Sequence, residues 1–291
     1  MPRRSQPRPR VQDLPQGRIS TSHATVELTT DTADPDGVML WIDGAESSYL
    51  DLADPSRLEF EYMQQMMLVL RYARTDARLR AVHLGGAGCA MPRAIAHEWP
   101  QARQIAVEWD ELLAQRVREW FDLPRSPQLR IRVADARAAV EGFPADSKDL
   151  VLRDVFTGRF VPEHVRTVEF TREVARALAP EGLYLLNTAD RPPLTLARRE
   201  TATVAAVFDH VLVIAEPAVL KGRRFGNVVI AGAQHRLPVT TLLPALRALP
   251  VPAQVLDQEK VRSFIGTYPP FWDTDAQSGS ASKSPGGEAR R

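Results

Sequence analysis

Residues 81–95, AVHLGGAGCAMPRAI, read as a short apolar strand, a glycine turn and the start of a helix. From this point strand and helix alternate along the chain, and that alternation narrows the possible folds most. Apolar strand-length segments recur at 81–84, 104–108, 129–133, 150–154, 182–187, 210–214 and 227–231. Helical stretches separate the first five, which is the pattern of parallel strands joined by crossover helices. Only AEPAVLKGRRFG separates the last two, a link that suits an antiparallel hairpin. The sequence therefore predicts an α/β fold with a doubly wound sheet of seven strands, mostly parallel, with an antiparallel edge.

Upstream the pattern differs. ATVELTT alternates apolar and polar residues, Asp34 to Gly37 is turn chemistry, VMLWIDG follows, and a third short strand is expected over Ser47 to Leu52. These predict a small antiparallel N-terminal sheet over 19–56. A connecting helix is expected over 57–79, with Asp54 or Ser56 as N-cap and Leu58, Tyr62, Met66 and Val69 along one stripe. The large domain covers 80–272. Residues 1–18, with four arginines among the first ten, and residues 273–291 are too polar to bury a core and are expected to be disordered tails.

In an open α/β sheet a ligand lies beyond the carboxyl ends of the strands, at the switch point. Four successive strand ends here offer suitable groups. The first carries Gly85, Gly86 and Gly88, where a small side chain lets the backbone approach a ligand beside free helix N–H groups. The second ends in Glu108, an acid able to accept ribose hydroxyl protons. Asp135 and Asp154 follow the third and fourth. Singly, Glu108 could be a helix-terminal charge and Asp135 an N-cap. Their recurrence favours a nucleoside site. The dinucleotide fingerprint G-x-G-x-x-G is incomplete, because its third glycine falls on Met91. An acid at Asp135 could accept from an adenine amino group, so an adenosyl sulfonium or its thioether product is preferred over NAD.

The segments LWIDG, RLEFEYMQQMM, VHLGGAGCA, AVEWD, VADARAAV and DLVLRDVFTG, in this order and spacing, resemble the spermidine synthase family of polyamine aminopropyltransferases across about 22–233. The resemblance implies a Rossmann-like, methyltransferase-type sheet behind an N-terminal β-sheet, and a role in polyamine biosynthesis. It implies a co-substrate, decarboxylated S-adenosylmethionine or S-adenosylmethionine, rather than a tightly bound cofactor. It implies a small-molecule amine acceptor and a homodimer. It assigns ribose to Glu108, adenine to Asp135 and Ala136, and proton abstraction to Asp154 assisted by Tyr62. The chain also departs from the family. Acids that the family carries in its glycine turn and its D-S-S-D loop fall on Gly88 and Thr157, the positions after the tyrosine are Met63, Gln64 and Gln65, and Ser47 stands where the family has a glutamine. An altered acceptor site follows, which Glu59, Glu61 or Glu169 could refill. A methyltransferase and a non-catalytic nucleoside-binding dimer are the alternatives.

Composition supports this frame only by exclusion. A net charge of +1 gives no overall field for nucleic acid or membrane, and no apolar run is long enough to span a bilayer. The one cysteine, Cys89, forms no internal disulfide framework and is expected to be a packing residue. A cytoplasmic location is expected. His83 and His97 lack metal-ligand spacing, so no metal is expected.

Overall fold

The computed structural model describes residues 9–74, 78–158 and 160–275. Strands β1 (Arg18–Ser20), β2 (Thr25–Thr30), β3 (Gly37–Ile42) and β4 (Ala45–Asp51) form an antiparallel meander in that order. The Asp34 to Gly37 turn joins β2 to β3 as its chemistry predicts. Tyr49 on β4 closes over it, donating its hydroxyl toward the Asp31 and Asp34 carboxylates. Helix α1 (Glu61–Ala73) follows. It begins later than expected, because neither Asp54 nor Ser56 caps it. The Asp54 carboxylate accepts instead from the Ser56 N–H and hydroxyl, a local turn that competes with helix initiation, and Phe60 precedes the helix without a side-chain cap.

The remaining elements, in chain order, are β5 (Arg80–Leu84), α2 (Ala90–Glu98), β6 (Arg103–Glu108), α3 (Glu111–Trp120), β7 (Leu129–Val133), α4 (Ala136–Glu141), β8 (Lys148–Arg153), α5 (Val168–Ala177), β9 (Leu178–Asp190), α6 (Thr195–Ala205), β10 (His210–Ala215), α7 (Pro217–Leu220), β11 (Gly226–Ala233), α8 (Val239–Arg247), β12 (Gln254–Leu256) and α9 (Gln258–Ile265). The strands form one sheet in the order β12-β10-β11-β9-β8-β5-β6-β7. All seven expected strands are present. β5 pairs parallel with β6, Ala81 opposite Gln104, and with β8, Leu84 opposite Arg153. β11 runs antiparallel to both β9 and β10, so the expected hairpin forms and, with β12, makes the antiparallel edge of the sheet. β12 adds a short eighth strand that three residues of pattern could not announce.

Two apolar layers cover the sheet. One contains Val140, Phe170, Val174, Ala197 and Phe264 from α4, α5, α6 and α9. The other joins Ile95, Val117 and Leu242 to Met66 and Val69 of α1 and to Val26, Leu40 and Leu50 of the small sheet. The small sheet thus shares its core with one face of the large one. The inner parts of both expected tails are structured. Leu14 is buried, β1 starts at Arg18, and Asp273 pairs with Arg137 at 2.7 Å. Residues 1–8 and 276–291, the outer parts, lie outside the described residues. Among the described residues no helix is long and apolar enough to cross a membrane.

Candidate active site

From β5 the crossovers run toward β6 on one side and toward β8 on the other, so the switch point lies at the carboxyl ends of β5 and β8. Gly85 sits there with φ of 89°, and a β-carbon on it would lie 2.2 Å from the Asp154 carbonyl oxygen. Only glycine lets these strand ends approach so closely. The rest of the turn is tight as well: Ala87 (φ 38°) and Cys89 (φ 60°) both adopt left-handed backbone. Cys89 is buried, and desolvation pushes its thiol up to about 12, which fits the packing role and not a reactive one.

Glu108, at the end of β6, faces the turn. One carboxylate oxygen accepts from the Gly86 N–H (3.2 Å) and the Ala87 N–H (3.0 Å), the other from the Asp110 N–H (3.1 Å). Burial raises its pKa while these backbone donors oppose the rise. A carboxylate has about four acceptor positions, so one remains for a hydroxyl. Two residues on, Asp110 caps α3 through the Leu113 N–H and also accepts from the Thr21 hydroxyl (2.6 Å), the Ser22 N–H (3.0 Å) and the His23 N–H (2.9 Å). His23 stacks on the half-exposed Trp109 with ring centroids 4.1 Å apart. The link between β1 and β2 is thereby fastened beside Glu108.

Asp135 caps α4 through the Ala138 N–H (3.0 Å) and pairs with His164 Nε2 (2.8 Å). Its pKa is lowered: burial raises it, but the Ala138 N–H and His164 outweigh that. Ala136, the first residue of α4, is buried. Asp154 follows β8. The Tyr62 hydroxyl donates to one of its oxygens at 2.8 Å and the Asn187 amide to the other at 3.1 Å. Burial raises the Asp154 pKa against these two donors and the Arg153 charge, and burial also lifts Tyr62 well above the usual phenol range. A carboxylate held in this way is oriented, partly desolvated and poised to take a proton.

Around Asp154 the polar groups are mostly neutral. Asn187 Oδ1 is buried there without a hydrogen-bond partner, as is Gln65 Oε1 one turn along α1 from Tyr62. Gly88 lies against the small sheet, its N–H donating to Ser48 Oγ at 3.0 Å, and an added β-carbon would meet Leu50 and Ser48 at 2.8 Å. Thr157 bridges to Phe160 in an exposed loop. Of the possible substitute acids, Glu59 pairs with Arg57, and Glu169 accepts from the Asp273 N–H. Glu61 is the one beside Tyr62, where it accepts from Asn227. Ser47 bonds only to the nearby Ala45 carbonyl, and it is Ser48 that faces the glycine turn. Sequence reasoning missed Asn187, Ser48 and Asp110. Asn187 was within reach of the strand-end rule; the other two carry no periodic or motif signal. Among the described residues no group of His, Cys, Asp and Glu is arranged to hold a metal ion.

No protein-family model matches the chain. The fold is that of the methyltransferase-like α/β proteins: human methyltransferase-like protein 13 shares it at 20% identity, covering 79% of this chain and 96% of that one with a TM-score of 0.51. A probable spermidine synthase from Corynebacterium glutamicum superposes with a TM-score of 0.85 at 38% identity, covering 95% of this chain and 100% of that chain. A polyamine aminopropyltransferase of Vibrio vulnificus is 29% identical over 210 residues, 72% of this chain and 65% of the relative. One of Chromobacterium violaceum is 30% identical over 141 residues, 48% of this chain and 53% of the relative, so the matches span less than two thirds of these curated relatives. The chain belongs to the spermidine synthase family.

Proposed function

We propose that the chain is a spermidine synthase-like transferase. It binds decarboxylated S-adenosylmethionine, or a related adenosyl sulfonium, as co-substrate and passes its aminopropyl group to a small amine. The observation that carries this reading is the Asp154 carboxylate, held at 2.8 Å by Tyr62 at the switch point beside the glycine turn. Glu108 offers its remaining acceptor position to the ribose and Asp135 with Ala136 flanks the adenine, while the turn of Gly85, Gly86 and Gly88 lines the same crevice. An ammonium has no free electron pair, so Asp154 first takes a proton from the acceptor. The freed amine nitrogen then attacks the carbon next to the sulfonium, a C–N bond forms, the C–S bond breaks, and the thioether leaves with the electron pair.

The acceptor pocket is the altered part. Carboxylates at Gly88 and Thr157 are missing, and the unpartnered amide oxygens of Gln65 and Asn187 supply neutral acceptors instead. Weak turnover with putrescine is expected, because its cationic ends find fewer acids. The same neutrality favours the second reading, methyl transfer from S-adenosylmethionine. Calorimetry with S-adenosylmethionine, its decarboxylated form and methylthioadenosine, followed by assays of both sulfonium donors against diamines, longer polyamines and neutral acceptors, separates the two. Absence of turnover with every pair would favour a non-catalytic nucleoside binder. A homodimer in the cytoplasm completes the proposal on family grounds. The methionine-rich face of α1 does not add to it, because Met63, Met66 and Met67 are buried in the chain's own core. Light scattering tests assembly against the chain mass of 32.4 kDa.

A further inference from the structure

Behind Asp154, on the opposite face of the sheet, lies a charged pair that this chemistry does not use. Arg153 donates to Glu200 at 2.5 Å, and the side chains are 1% and 2% exposed. Arg153 ends β8 and is joined directly to Asp154, while Glu200 lies in α6. With Arg166, Thr171, Tyr184 and Thr203 they line a cavity of about 10 Å³, the room of one water molecule. Arg153 Nε and Nη1, Arg166 Nε and Glu200 Oε1 are buried there without a hydrogen-bond partner. These atoms are guanidinium donors and a carboxylate acceptor, the set that a water could satisfy by accepting from the former and donating to the latter. Buried pairs seldom stabilise a fold more than well-packed apolar residues do, so a fold has little need of one here. Alternation along the strand sends the side chains of Arg153 and Asp154 to opposite faces, and only the backbone layer separates them.

We infer that the Arg153–Glu200 pair, with the small polar cavity beside it, is a positioning device that sets the proton affinity of Asp154 through the sheet. The inference rests on the reading of Asp154 as the proton acceptor. The groups that face Asp154 are Tyr62, with Glu61 beside it, from α1, Asn187 from β9 and Arg153 from β8. The pair is faced by Tyr184 and Asp190 from β9, by Arg166, and by Arg199 beyond it. Burial favours protonated Asp154, and the positive charge of Arg153 opposes this. Glu200 compensates that charge from the farther position.

The two partners therefore act in opposite directions, which a purely structural pair would not do. Glu200→Gln keeps the shape and leaves Arg153 uncompensated. It is expected to move the acid limb of kcat/KM to lower pH by roughly half a unit to one unit. Arg153→Met is expected to move the limb to higher pH. If Arg153→Met does not fold, the double variant Arg153→Met, Glu200→Met replaces both charges with apolar side chains and should also move it up. Carbon-13 carboxyl titration of Asp154, identified by the signal lost in Asp154→Asn, reads the same shifts without turnover. Absence of aminopropyl transfer would therefore overturn the function while leaving this inference to be decided. Coincident Asp154 titrations in wild type, Glu200→Gln and the double variant would overturn the inference.

Discussion

A single proton acceptor bears the proposed chemistry, so its removal should be costly while the nucleoside site remains. Asp154→Asn keeps the shape and removes the base. Activity should fall by about 10²–10⁴-fold with methylthioadenosine binding retained, as steady-state rates and calorimetry would show. Tyr62→Phe deletes a donor that holds Asp154 ionised. Activity present above the Asp154 pKa and lost below it should then fade at a higher pH than in wild type. A different residue contributes to stability in mild acid. His83 is buried on β5 against Gln104, and burial lowers its pKa to about 4 from the usual imidazole value of about 6.5. The unfolded chain therefore binds the extra proton between these values, and stability contributed above about 6.5 is lost as pH falls toward 4. The full effect is roughly 3 kcal/mol. Urea melts at pH 7 and pH 4.5 should show a smaller drop for His83→Gln than for wild type.

At the level of elements, the glycine turn is built around its neighbours. Gly85→Ala places a methyl group into the Asp154 carbonyl and should destabilise by about 2 kcal/mol or more in denaturant melts, shifting Asp154 with it. Gly88→Asp would restore the family's acid, but it meets Leu50 and Ser48 of the small sheet, so the variant should lose stability without gaining turnover on putrescine. Strand–helix alternation made these elements legible in the sequence, and the strand-end rule picked out Glu108 and Asp154, which the structure places at the ends of β6 and β8, because each is next to an apolar run. What it could not show was where polar side chains face. α6 has the pattern of an amphipathic cover, yet Glu200 lies on its buried side, because periodicity marks a helix face and not the partner waiting on the next strand. The start of α1 was missed for a related reason: Asp54 has the chemistry of a cap but spends it on its own turn.

For the whole molecule, the two sheets are tied together next to the proposed nucleoside position. Glu108 grips the glycine turn, and Asp110, two residues later, grips Thr21, Ser22 and His23. The amides of Ser22 and His23 thus have a single carboxylate as their acceptor, on the same short segment that would hold a ribose. Any ligand that steadies this segment must also slow the opening of those amides, by the factor 1 + [L]/Kd if opening abolishes binding. Hydrogen–deuterium exchange of Ser22 and His23 would then serve as a built-in gauge of occupancy that requires no turnover. Methylthioadenosine should retard exchange there in wild type, whereas in Asp110→Asn the two amides should exchange faster and respond less. Exchange at these positions indifferent to a saturating ligand would show that the small sheet is fastened to the large one without sensing what the crevice holds.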